Sequence, residues 1–122
     1  MKFFIIILIS LLVFPQETSH RHIDVIKIDG SINPASAGFI HDKIKNANIE
    51  RAECLIIQLN TPGGLLKSTR NIVGDILASN VPVIIYVYPP GAQAASAGVF
   101  ITLASNIAVM APGTILARLI PL

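Results

Sequence analysis

Short apolar runs separated by stretches of helical periodicity constrain this chain more than any other feature. Ile23 to Asp29 alternates apolar and polar residues with the period of two of a strand, and stops at Gly30. Asn33-Pro34 can open a helix, since proline is tolerated in a first turn. Ala37, Ile40, Ile44 and Ala47 then recur at three- and four-residue spacings, one apolar helix face. Cys54 to Asn60 is short, mostly apolar and rich in β-formers, as expected of a central strand buried on both faces. After the turn Thr61-Pro62-Gly63-Gly64, residues Leu65, Leu66, Thr69, Ile72, Val73, Ile76 and Leu77 mark one side of a second helix. Pro82 to Tyr88 reads as a third strand, ended by Pro89-Pro90-Gly91. Ala94 to Ala104 reads as a helix of small residues, Asn106 to Met110 as a fourth strand, and Ala111-Pro112-Gly113-Thr114 as a turn. Strands alternating with helices predict an α/β fold with a mainly parallel sheet covered by helices.

Composition narrows the function classes. Of 122 residues, 52% are hydrophobic and 13% charged, which excludes a disordered chain. Net charge is +2 without a basic cluster, so nucleic acid is not an expected partner. The single cysteine, Cys54, excludes an internal disulfide and a cysteine-based zinc site, and its apolar run suggests a core position. From Ile76 to the end the only charge is Arg118. Such a stretch is buried, faces a membrane or partner, or belongs to a longer protein.

Residues 1–17 are expected to stand apart from residues 18–122. Lys2, an apolar run from Phe3 to Phe14 broken only by Ser10, and the polar exit Pro15-Gln16-Glu17 match a secretory signal or an uncleaved anchor. The run falls short of the roughly 20 residues of a spanning helix. Export to an extracytoplasmic or periplasmic location is the expectation.

In parallel sheets, chemistry gathers where strands lead into helices. Two such junctions stand out. In Asn60-Thr61-Pro62-Gly63-Gly64 the glycines allow close backbone approach, and N–H groups beside a helix start can bind an oxyanion. The plain alternative is a tight turn. In Gly91-Ala92-Gln93-Ala94-Ala95-Ser96-Ala97-Gly98, Ser96 sits among small residues at a helix start, where a hydroxyl has room for a substrate. The plain alternative is close helix packing. The nucleophile elbow G-x-S-x-G is half matched: Gly98 is present, but Ala94 holds the other glycine position.

Taken together, the two junctions, the strand between them and Met110-Ala111-Pro112-Gly113-Thr114 resemble the Clp-protease/crotonase superfamily. They are most similar to its NfeD-type branch of membrane-associated serine proteases, over residues 22–114. The resemblance implies a spiral of β-β-α and βα units and no cofactor or metal. It implies Ser96 as nucleophile, the backbone N–H groups of Gly64 and Ala97 as oxyanion hole, and a lysine further along the chain as general base. Gly63 or Leu65 could replace Gly64 in that role. Implied partners are hydrophobic segments of membrane proteins, stomatin-like proteins among them, and a homo-oligomer suits the charge-poor stretch.

The base is the open point. The last lysine is Lys67 and no histidine follows His41, so the family's lysine would fall beyond Leu122. The sequence departs from the family pattern from Ile115 onward, as a truncated or frame-shifted chain would, and impaired activity is expected. Lys67, Lys27, Lys43 and Lys45 read as solvated residues, His41-Asp42 as helix surface. His20 and His22 could bind metal adventitiously, without a supporting carboxylate spacing. Alternatives are a signal peptide peptidase A-like protease, a non-catalytic interaction module, and acyl-CoA chemistry of the crotonase kind. The last is disfavoured by the export signal and the lack of an acid near Ser96.

Overall fold

The computed structural model describes residues 20–117, so the signal or anchor expected over 1–17 and Arg118 lie outside the described residues. The elements run β1 (Ile23–Asp29), α1 (Pro34–Glu50), β2 (Cys54–Asn60), α2 (Leu66–Ala78), β3 (Val83–Val87), β4 (Gln93–Ala94), α3 (Ala97–Ala104), β5 (Ile107–Met110) and β6 (Ile115–Leu116). Strands β1, β2, β3 and β5 form one parallel sheet in that order, and β4 pairs with β6, also parallel. No helix among the described residues is long and apolar enough to cross a membrane.

Local chemistry explains the first helix. Asn33 Oδ1 accepts from the Ser36 N–H at 3.0 Å, and Ser36 Oγ accepts from the Asn33 N–H at 2.9 Å, a reciprocal capping box followed by Pro34. Arg51, in the left-handed conformation, ends the helix.

A parallel sheet laid down in sequential order by crossovers of one hand carries its helices on one face. Burial follows that rule. Leu55, Ile57, Leu59, Val83, Ile85 and Val87 are fully buried and pack with Ile40, Ile72 and Ile101 from the helices. Their neighbours point the other way. Cys54, Ile56, Ile84 and Tyr86 are half-buried, while Ile23, Val25, Ile107 and Val109 are exposed. The expectation that β2 is buried on both faces, with Cys54 in the core, is therefore corrected: its continuous apolar run serves a covered face and an open one. Register places Val25, Ile56, Ile84 and Ile107 in a single row across the open face.

One side chain ties the helical layer together. Asn48 on α1 donates Nδ2 to the Ile44 carbonyl (2.7 Å) and to Ser79 Oγ (3.1 Å). Its Oδ1 accepts from the N–H groups of Asn80 (2.9 Å) and Val81 (3.1 Å), clamping the loop between α2 and β3. Asn48→Ala strands these donors and should cost about 1–3 kcal/mol in denaturant unfolding. Asn48→Asp keeps the acceptor but faces the Ile44 carbonyl with a carboxylate, and should also destabilise.

Candidate active site

The two glycine- and serine-bearing junctions meet through Thr61. Its N–H donates to the Gln93 carbonyl (2.7 Å), and its carbonyl accepts from the Ala95 N–H (3.0 Å). Asn60 reinforces the seam, accepting from the Gln93 N–H (3.0 Å) and donating to Asp29 Oδ1 (3.2 Å). This pairing makes Gln93–Ala94 a strand, so the helix expected over Ala94–Ala104 starts at Ala97 instead. Thr61 is buried, and Gly98 permits its approach: a Cβ on Gly98 would stand 2.8 Å from Thr61 Cγ2.

Ser96 caps α3 with φ 50° and ψ −109°, a conformation costly for any residue with a side chain. That geometry leaves the serine exposed against the glycine loop, where a Cβ on Gly63 would lie 3.2 Å from Ser96 Oγ. The loop itself is pinned. Thr61 Oγ1 accepts from the Gly63 N–H (3.1 Å), the Ile32 N–H donates to the Gly63 carbonyl (2.8 Å), and the Leu65 N–H donates to the Ile32 carbonyl (2.9 Å). Of the three loop N–H groups, those of Gly63 and Leu65 are thus engaged. The N–H groups of Gly64 and Ala97 have no acceptor among the described residues. Both adjoin helix starts, of α2 and α3, where backbone dipoles favour negative charge.

No side chain among the described residues is hydrogen-bonded to Ser96 Oγ. Lys67 is exposed and lines a groove of about 670 Å³ between α1 and α2, with His41 and Asp75. There His41 Nδ1 lies 3.1 Å from Asp75 Oδ2. A second groove, about 730 Å³, is apolar and runs between α2 and α3, lined by Leu66, Val73, Leu77, Phe100 and Leu103. Leu66 follows Gly64 by two residues and Phe100 follows Ser96 by four, so the two helices that wall this groove are those that start at the glycine–serine junction.

One sequence expectation needs correction elsewhere: His22 does have carboxylate neighbours, Asp24 and Glu50. The Ile115 N–H donates to the Ala92 carbonyl (3.0 Å), and β6 pairs with β4.

A model of the NfeD1b N-terminal domain matches residues 22–119, through and beyond Ile115. The chain belongs to that family. It is 49% identical over 90 residues to the membrane-bound protease PH1510 of Pyrococcus horikoshii, covering 74% of this chain. It is 35% identical over 89 residues to membrane protein NfeD1b of Bacillus subtilis, covering 73%. The chain spans 20% of the length of each of these curated relatives. Among solved structures, a lysine-to-alanine mutant of the 1510-N membrane-bound stomatin-specific protease, in complex with a substrate peptide, is similar at 47% identity and TM-score 0.75. That match covers 77% of this chain and 43% of that one. ClpP1 of Listeria monocytogenes, 22% identical over 74% of this chain and 52% of its own, superposes with TM-score 0.63 and shares the fold. The fold is thus Clp-protease-like, in a family with membrane-bound protease members.

The glycine loop yields a contrast in sign. A Cβ on Gly64 would overlap the Ile32 carbonyl, whereas one on Gly38, in α1, meets nothing within 4 Å. Gly64→Ala should lose about 1–3 kcal/mol. Gly38→Ala should gain about 0.4–1 kcal/mol. Parallel urea titrations read both.

Proposed function

We propose that this chain carries the nucleophile and oxyanion site of a membrane-associated Ser–Lys endopeptidase that cuts hydrophobic segments of membrane proteins. Ser96 is the nucleophile. The N–H groups of Gly64 and Ala97 receive the oxyanion that forms when Ser96 Oγ attacks the scissile carbonyl. A neutral lysine takes the Ser96 proton and returns it to the leaving amine, and water then releases the acyl group by the same route. The observation that carries this reading is the pair of N–H groups, unengaged among the described residues, beside a strained, exposed serine. It also supports Gly64 as the donor in preference to Gly63 and Leu65, whose N–H groups are occupied.

The substrate class draws on two supports. The apolar groove between α2 and α3, lined by Leu66 from the helix after the glycine loop and by Phe100 from the helix that Ser96 caps, suits hydrophobic chain segments. The similar 1510-N protease is described as stomatin-specific, so stomatin-like proteins are the proposed partners. Export, with residues 1–17 as signal or anchor, would place the domain at the outer side of a membrane. We further propose that copies of this chain associate through the open sheet face, where the row Val25, Ile56, Ile84 and Ile107 forms a contiguous apolar patch. Sedimentation equilibrium should show a dimer or larger species that Ile84→Lys dissociates; a monodisperse wild-type monomer would contradict this.

A second reading, a non-catalytic interaction module, is favoured by the lack of a base on Ser96 among the described residues. The two are separable. Oxyanion donors contribute about 10²–10³ in rate, and a general base a further factor of about 10²–10⁴. The chain should therefore cleave an apolar fluorogenic peptide very slowly, with Ser96→Ala at background. Fusing the lysine-bearing continuation of the 1510-N protease after Ala117 should raise turnover at least about a hundredfold. An extended chain that stays inert would favour the interaction module. Strong activity in the original chain, abolished by Lys67→Ala, would make Lys67 the base.

A further inference from the structure

His22 and Asp24, two residues apart, meet Glu50 from the far end of α1 in a cluster of three metal-ligating side chains away from the glycine–serine junction. His22 lies in the lead-in to β1. Asp24 follows two residues on, hence on the same side of the extended chain. Glu50 is the last residue of α1. His22 Nε2 stands 3.7 Å from Asp24 Oδ1 and 3.5 Å from Glu50 Oε2. One ligand atom from each residue lies within 4.8 Å of the other two.

The tautomer gives the cluster its meaning. His22 Nδ1 is 3.2 Å from the His20 carbonyl oxygen, which can only accept, so Nδ1 carries the hydrogen. In the neutral ring, Nε2 then presents a lone pair. That nitrogen is buried and has no hydrogen-bond partner among the described residues. Three electron-pair donors, two of them anionic, thus converge with no donor between them. Holding a histidine by Nδ1–H on a backbone carbonyl is also how proteins orient a metal-ligating imidazole.

We infer that His22, Asp24 and Glu50 form a zinc site that staples the start of β1 to the end of α1. Zinc bound tetrahedrally at about 2.0–2.2 Å keeps its ligands about 3.3–3.6 Å apart, so the two histidine–carboxylate separations need little adjustment. One imidazole with two carboxylates suits zinc better than magnesium or calcium, which prefer all-oxygen shells. Water completes the fourth position from the exposed side of Glu50. The staple adds to a seam already held by the Glu53 N–H donating to the His22 carbonyl (2.9 Å) and by the Arg21–Glu53 ion pair (3.7 Å). Its role is to anchor the point where the amino-terminal segment joins the domain.

The test uses the full chain in detergent, stripped with chelator and titrated with zinc alone against a chromogenic competitor. One equivalent should bind with micromolar or tighter affinity. Losing an outer-shell partner typically costs 10–100-fold, so His22→Gln and Glu50→Gln should each weaken binding at least about tenfold. His20→Gln and His41→Gln should leave it unchanged. Cobalt in place of zinc should show the visible bands of a four-coordinate ion, diminished by Asp24→Asn. Circular dichroism of the metal-free variants checks that they fold, and Glu50, on the surface, is the variant least coupled to folding. Absence of zinc binding, or binding lost with His20→Gln or His41→Gln but kept in Glu50→Gln, would overturn the site.

Discussion

Thr61 holds the candidate site together through backbone pairing and close packing. Its main chain pairs with Gln93 and Ala95 on either side of Ala94, and its hydroxyl closes the turn at Gly63. The residue is buried, so these hydrogen bonds form away from water, where leaving them unmade is costly. From that seam follow the two-residue strand β4, the abrupt start of α3 and the positive φ of Ser96. Ile32 completes the loop from the other side by bonding both the Gly63 carbonyl and the Leu65 N–H. The N–H of Gly64 is what remains after those bonds are made.

The same seam links the site to the sheet. Asn60 ends β2 and Thr61 follows it directly, so the packing of Leu55, Ile57 and Leu59 sets where the glycine loop sits. Helices cover one face of that sheet and leave a row of apolar residues on the other. A domain with a core on one side and a second apolar surface on the other is suited to assembly, and the family's relatives are several times longer than this chain. The apolar groove between α2 and α3 lies on the helical side. Proposed substrate binding and proposed self-association therefore use different faces and need not compete.

Much of this was legible in the sequence because the signals were local. Alternation in β1, the Asn33-Pro34 cap, the glycine turn and the small-residue motif around Ser96 each report on their own neighbourhood. What escaped depended on residues far apart. Continuous apolar runs look alike whether one face or both are covered, so β2 was expected to be buried twice. Ala94 and Ala95 are good helix formers, yet pairing with Thr61 and Ile115–Leu116 draws the segment out of the helix. Which loop N–H stays unengaged depends on Ile32, about thirty residues upstream of the loop. Asp24 shares a side with His22 by strand alternation, but Glu50 reaches them from the far end of α1, a meeting no spacing rule announces.

The central claim is that Ser96 Oγ and the N–H groups of Gly64 and Ala97 converge on one reacting carbonyl. A crystal structure of the chain with an apolar peptide boronic acid tests it most directly, because the boron becomes tetrahedral on serine attack and places an oxygen where the oxyanion would form. The account predicts a Ser96 Oγ–boron bond, with one boronate oxygen about 2.7–3.1 Å from both the Gly64 and Ala97 nitrogens. An adduct whose oxygen points to solvent, or is held by Gly63 or Leu65 instead, would contradict it.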